Sequence, residues 1–107
     1  MLFGAEPPEV FVELGFIERV DSRWATLIRN HVGVEISTVA SRRTADHLCL
    51  EIRTENATAQ ITAREALRTL EITVSRFKDQ RTLCEGACNT DIDLDRKLRA
   101  LLIDLRA

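Results

Sequence analysis

Three cysteines and two histidines carry most of the chemical reach of this chain. His47 and Cys49 stand two residues apart, which puts both side chains on one face of an extended strand. A thiol becomes a useful nucleophile when a neighbouring base takes its proton and a third group holds that base. No residue around this pair supplies the third group, so a surface imidazole beside a surface thiol is the expectation. Cys84 and Cys88, together with His31 and His47, have the donor types of a zinc site. Structural zinc uses a close cysteine pair and a second pair like it; one Cys-x3-Cys and two scattered histidines do not complete that pattern. A disulfide between Cys84 and Cys88 is open to the sequence but is not needed in a reducing compartment. Asp91-x-Asp93-x-Asp95 begins like a calcium loop, yet such a loop requires glycine at its sixth position and a bidentate acid at its twelfth. Arg96 and Leu102 stand there instead, and three early aspartates suit a helix N-terminus. Four dispersed glycines build no phosphate-cradling loop. The expectation is a protein that is not an enzyme and uses no metal and no cofactor.

Composition narrows the partners. The 15 basic and 17 acidic residues leave a net charge of −2, and Arg42-Arg43 and Arg96-Lys97 are the only adjacent basic pairs. Nucleic-acid binders draw much of their affinity from a basic stripe that neutralises phosphates. Aromatics are few and tyrosine is absent, which leaves little for a base-stacking platform. Nucleic acid is therefore not an expected partner. Met1-Leu2-Phe3-Gly4 lacks the basic and long apolar regions of a secretory leader. No apolar run approaches the roughly 20 residues that cross a bilayer. A cytoplasmic protein with free thiols and no membrane partner is the expectation.

At 107 residues, 45% apolar and 30% charged, the chain has the size of one domain. Such a domain buries roughly 65% of the surface its unfolded chain exposes. Residues 1–107 are expected to form that single unit, with a lead-in over 1–8, a helical segment over 9–32, a sheet over 33–88 and a helix over 91–106. Pro8 suits a first helical turn. Val10, Leu14, Ile17, Val20, Trp24, Leu27 and Ile28 recur at steps of three and four, while Glu9, Glu13, Glu18 and Arg19 fall off that stripe. Gly15 and Asp21-Ser22 are places for this segment to bend or split, and Gly33 is its natural stop.

The period then changes to two. Val34, Ile36 and Thr38 alternate with polar neighbours up to a turn at Ser41–Asp46. Leu48, Leu50 and Ile52 form a second strand that ends at Thr54-Glu55-Asn56. Ala57, Ala59, Ile61 and Ala63 form a third, and after a turn near Glu65-Ala66-Leu67 a fourth carries Leu70, Ile72 and Val74. Phe77-Lys78-Asp79 makes the next turn, and Gln80–Glu85 a weaker last strand. Connections this short join antiparallel neighbours. Leu94, Leu98, Leu101, Leu102 and Leu105 then share one face of a helix capped by Asn89-Thr90-Asp91, with Asp93–Lys97 and Asp95–Arg99 as favourable i, i+4 pairs. The fold class is α+β in two layers: an N-terminal helix, an antiparallel sheet of about five strands and a C-terminal helix.

A sheet covered by helices on one side leaves the other side wet. Glu51, Arg53, Thr62, Arg64, Glu71 and Thr73 project from that side. One reading is an ordinary solvated face held by cross-strand charge pairs of a few tenths of a kcal/mol each. The other is a polar protein interface, in which such charges select the partner. Arg53, Arg64 and Glu71 are the expected anchors, with Glu51 and Thr62 beside them.

From about Asp21 to Leu105 the chain resembles the small immunity proteins of bacterial polymorphic toxin systems, most closely the TriTu family. The resemblance rests on a helix with Trp24, a strand pair, the run Ala59-Gln60-Ile61-Thr62-Ala63-Arg64-Glu65-Ala66-Leu67 and the helix Asp91-Ile92-Asp93-Leu94-Asp95-Arg96-Lys97-Leu98. Members carry Gly-x-Ile-x-Val-Trp-Glu-x-Gly in that run. Ile61 and Glu65 match it, Arg64 replaces the tryptophan, and Ala59 and Leu67 replace the glycines. The resemblance implies a protein that neutralises a cognate toxin domain by binding and occluding it, and a monomer is expected ahead of a dimer. A dimeric secretion chaperone is the alternative, and it would need an exposed apolar groove.

Overall fold

A computed structural model of the chain describes residues 15–106. The expected lead-in over 1–8 and the helical positions Glu9, Val10, Glu13 and Leu14 lie outside the described residues. The elements run α1 (Phe16–Arg29), β1 (Ser37–Arg43), β2 (His47–Arg53), β3 (Thr58–Arg64), β4 (Thr69–Arg76), β5 (Asp79–Ala87) and α2 (Asp91–Arg106). The five strands form one antiparallel sheet in sequence order, an up-and-down meander with β1 and β5 as its edges.

One face of the sheet is the core. Leu48, Leu50 and Ile52 of β2, Ala59, Ile61 and Ala63 of β3, and Leu70, Ile72 and Val74 of β4 are buried against the apolar stripes of the two helices. α1 contributes Phe16, Ile17, Val20, Trp24 and Leu27, and α2 contributes Leu94, Leu98, Leu101, Leu102 and Leu105. The alanines of β3 give α1 room to lie against β2 and β3, while α2 rests on β5 and on α1. Burying each of these large side chains contributes about 1.5–3 kcal/mol before chain entropy is set against it. Among the described residues no charged or polar residue is fully buried.

α1 runs unbroken through Asp21-Ser22 and stops earlier than expected, at Asn30, whose N–H bonds to the Thr26 carbonyl at 3.1 Å. Gly33 does take a positive φ of 120°, but in the loop beyond the helix. The N-terminus of α1 is closed from across the fold. Glu65, in the β3–β4 turn, accepts the Phe16 N–H at 2.9 Å and the Ile17 N–H at 3.1 Å, one on each carboxylate oxygen. Gly15 leaves room for it, since a Cβ there would stand 2.9 Å from that carboxylate and push it aside. The bonds from Ile17 and Phe16, with Arg19 and Arg68 nearby, hold the Glu65 carboxyl below its usual range.

β1 departs most from expectation. It starts at Ser37 and runs through Arg43, so the turn shrinks to Thr44–Asp46, where the Thr44 hydroxyl accepts the His47 N–H at 3.0 Å. Val34 stays exposed ahead of the strand, and all seven strand residues are exposed. A bulge at Val39 resets the alternation: Thr38 pairs with Ile52, but Ala40 pairs with Glu51. The core-facing positions of β1 are consequently Thr38, Ser41 and Arg43, and they meet the flank of α1. Trp24 Nε1 donates to the Thr38 hydroxyl at 3.1 Å, and Arg43 reaches Glu18 at 3.6 Å and Asp21 at 3.8 Å.

The last strand is longer than expected, Asp79–Ala87, and bulges at Leu83. Its hairpin turn is the two residues Phe77-Lys78, with Phe77 at φ +55°. A bulky residue there costs about 1 kcal/mol relative to glycine. The stem is fastened to α2 by Asp104, which pairs with Arg76 at 2.9 Å and also with Arg81.

Candidate functional site

The pleat of β2, β3 and β4 places every expected surface residue on the open side of the sheet. Pairing sets them in rows across the strands. One row is Arg42, Cys49, Thr62, Glu71 and Glu85. The next is Ala40, Glu51, Gln60, Thr73 and Thr82, and the third is Ser37, Arg53, Thr58, Ser75 and Gln80. His47, Arg64 and Thr69 begin a fourth. Glu51, Arg53, Arg64 and Glu71 are exposed, whereas Thr62 and Thr73 are half-buried between their neighbours. With strands about 4.8 Å apart and like-facing residues about 6.7 Å apart, the face measures roughly 20 by 20 Å. That is about half of one side of a standard protein interface, so a partner of ordinary footprint would also touch the turns at its rim.

Cross-strand ion pairs do not hold this face. Among the described residues, no ion pair within 4.0 Å involves Arg42, Glu51, Arg53, Arg64, Glu71 or Glu85. The register explains it: Glu51 faces Gln60 and Ala40, Arg53 faces Thr58 and Ser37, and Arg64 faces His47 and Thr69. Glu71 lies between Thr62 and Glu85, so two carboxylates stand directly opposite each other, an arrangement that destabilises a strand pair. A cationic corner of Arg42 and Arg64, with His47 between them, and an acidic patch of Glu71 and Glu85 thus flank a centre of hydroxyls and amides. A shallow depression of about 210 Å³ opens there, bordered by Glu51, Thr58, Gln60, Thr73, Ser75 and Gln80.

Cys49 Sγ accepts the Gln60 amide at 3.2 Å, and His47 Nδ1 lies 3.9 Å from the Asp46 carboxylate in the adjoining turn. The imidazole therefore has an acid beside it, while the Cys49 thiol faces an amide in place of a base. Among the described residues no group of three or more His, Cys, Asp or Glu is arranged to hold a metal. His31 is occupied elsewhere, its Nε2 donating to the Val34 carbonyl at 2.6 Å. The three aspartates at the start of α2 are spoken for: Asp93 pairs with Lys97 at 3.3 Å, Asp95 with Arg99 at 2.7 Å, and Asp91 lies 3.8 Å from Arg19. Thr90 is the N-cap, its hydroxyl accepting the Asp93 N–H at 3.0 Å.

Cys84 and Cys88 are free thiols on the core side of β5 and its extension. Burial pushes both above the ordinary thiol range, only partly offset by Lys97. Extended chain puts residues four apart about 13 Å from each other, and a disulfide tolerates no more than about 7 Å between Cα atoms. The linkage left open by the sequence would therefore require β5 to come apart.

Three features escaped the sequence reading. The Glu65 cap and the Asp104 clamp join residues 48 and 28 positions apart, a separation that no local pattern encodes. Phe77 was read as turn only, although a bulky apolar residue at the tip of a two-residue hairpin is itself a visible anomaly. Compared with known proteins, the chain matches no family model, no curated protein and no solved structure.

Proposed function

We propose that this chain is a non-catalytic immunity protein that binds a cognate bacterial toxin domain in the cytoplasm and neutralises it by occlusion. The observation that carries the reading is the set of unpartnered charges on the open face. Fixed charges that neither pair with each other nor stabilise the sheet are suited to steering and selecting a protein of complementary pattern. Arg53, Arg64 and Glu71 are the anchors in this reading, with Glu51 and Thr62 completing the patch, and the resemblance in the Trp24, Ile61–Glu65 and Asp91–Leu98 segments supplies the kind of partner. The test is co-expression with the toxin domain encoded beside its gene. The chain restores growth and co-elutes one to one with the toxin. Replacing Arg53, Arg64 and Glu71 together by alanine weakens binding at least about tenfold while leaving the melting temperature in place. Full affinity in the triple variant would remove this face from the interface.

A dimeric secretion chaperone is the second reading; it calls for an apolar groove, and the groove on this molecule is lined mainly by polar and charged residues. That groove, of about 530 Å³, runs beside β1, where Val34 and Val39 border it among Glu35, Arg53 and Glu55. Light scattering at micromolar concentration separates the two: a monomer fits the immunity reading and a stable dimer the chaperone.

A further inference from the structure

Phe77 combines two unfavourable conditions at one residue. Its ring is wholly exposed, more so than any other large apolar side chain among the described residues. Its backbone is left-handed, at φ +55°. The first central position of a two-residue hairpin turn with positive φ belongs to glycine, which adopts it without strain. A phenylalanine there strains the backbone and gains no packing in the free chain. Backbone strain together with an unburied ring points to contacts made outside the chain.

The stem beneath the tip is held in place. Arg76 Nη1 bonds to Asp104 Oδ2 at 2.9 Å, its Nη2 donates to the Asp104 carbonyl, and Arg81 grips the other carboxylate oxygen. The guanidinium groups on both sides of the turn are thus tied to one residue of α2. A tip held in this way loses little freedom on association, which favours tight binding. The tip also continues the open face, since the Ser75–Gln80 pair next to it belongs to the row of Arg53 and Thr58. Lys78, the other turn residue, has no ion-pair partner among the described residues.

We propose that Phe77 is the apolar anchor of the chain's protein interface, entering an apolar pocket of the partner whose rim presents a carboxylate to Lys78. The inference rests on the reading of this chain as a protein-binding domain and adds to it the chemistry of the partner's pocket. A lipid bilayer would also accept a ring beside a lysine. One ring is a single weak signal, however, and stable membrane attachment takes two, so a protein pocket is favoured.

The test places the photocrosslinker p-benzoylphenylalanine at position 77 of the full chain, in cells carrying the native gene neighbourhood. The expected result is one saturable crosslinked protein, displaced by untagged wild-type chain. Phe77→Gly displaces it about thirtyfold less well, as loss of a hot-spot ring would give, and melts at the wild-type temperature or above. Phe77→Leu displaces it nearly as well as wild type. Four outcomes overturn the proposal: no displaceable crosslink, a crosslink only to a second copy of the chain, full competition by Phe77→Gly, or a melting point of Phe77→Gly several degrees lower. Wild type but not Phe77→Gly sedimenting with vesicles of phosphatidylcholine and phosphatidylglycerol would assign the tip to lipid instead. A displaceable partner that is not a toxin leaves this inference standing and removes the immunity reading. Neutralisation that survives Phe77→Gly unchanged does the reverse.

Discussion

The two sides of the sheet treat charge in opposite ways. On the helical side many ionic groups are committed: Asp104 to Arg76 and Arg81, Asp93 to Lys97, Asp95 to Arg99, Arg43 to Glu18 and Asp21, and Glu65 to two backbone N–H groups of α1. On the open side Glu51, Arg53, Arg64, Glu71 and Glu85 have no such partners among the described residues, and two of these carboxylates face each other. The helices bring complementary charges to one side of the sheet, and no element among the described residues brings them to the other. The Asp104, Arg43 and Glu65 contacts fasten the helices to the sheet, while Asp93–Lys97 and Asp95–Arg99 brace α2 itself. Uncommitted charges add little to folding and stay available to a partner. Stability should therefore reside on one side of the sheet and binding on the other.

The largest effect expected from this division is at Trp24, whose side chain is buried and whose indole N–H bonds to Thr38. Trp24→Ala removes the buried ring whose indole N–H ties the exposed strand β1 to α1. It should lower stability by about 3–5 kcal/mol in urea denaturation. Trp24→Phe keeps most of the packing and loses the hydrogen bond, so a loss of about 1 kcal/mol is expected. Equal losses in the two variants would mean that the hydrogen bond, and not the packing, holds β1 in place.

A smaller effect, with a definite pH signature, is expected at Glu65. Replacing a helix-capping side chain by alanine costs about 1 kcal/mol. Because the folded-state pKa lies below the ordinary 4.5, the unfolded chain binds the proton more tightly. The carboxylate's contribution is therefore fully present above pH 4.5 and lost as pH falls through the lower, folded value. Glu65→Gln keeps one acceptor but cannot titrate, so its melting temperature should fall less steeply with acid than that of wild type. Parallel acid limbs for the two proteins would show that the carboxylate does not carry this cap.

Most of the layer order was legible because burial writes itself into periodicity. Leu48–Ile52, Ala57–Ala63 and Leu70–Val74 alternate as a half-buried sheet must, and the α2 leucines repeat as a helix face must. β1 was misread for a physical reason. Its bulge at Val39 breaks the period of two, and its core-side residues Thr38, Ser41 and Arg43 are polar and exposed, so no apolar alternation exists to be read. The open face was legible as a set of residues but not as a state of charge. Pairing depends on register, and register was fixed only when each turn length was known. Glu65 shows the same limit from another direction: in the sequence it is one position of a family-like run, and its cap on α1 exists only where the fold brings the turn beside the helix.

The smallest effect, and the most direct test of the division, concerns Glu71. Its neighbour across β4–β5 is Glu85, directly opposite on the open face. Glu71→Lys replaces a like-charge pair with an opposite one, and cross-strand pairs of this kind are worth about 0.2–1 kcal/mol. The variant should be more stable than wild type by a few tenths of a kcal/mol, with the gain shrinking as salt screens the pair. Single alanine variants at Glu51, Arg53 and Arg64 should stay within about 0.5 kcal/mol of wild type, as exposed substitutions free of committed contacts do. If Glu71→Lys lost more than about 1 kcal/mol, the open face would be serving the fold through contacts of Glu71 other than charge. A gain in stability coupled to a loss of partner affinity would show that Glu71 serves binding at the expense of the isolated domain.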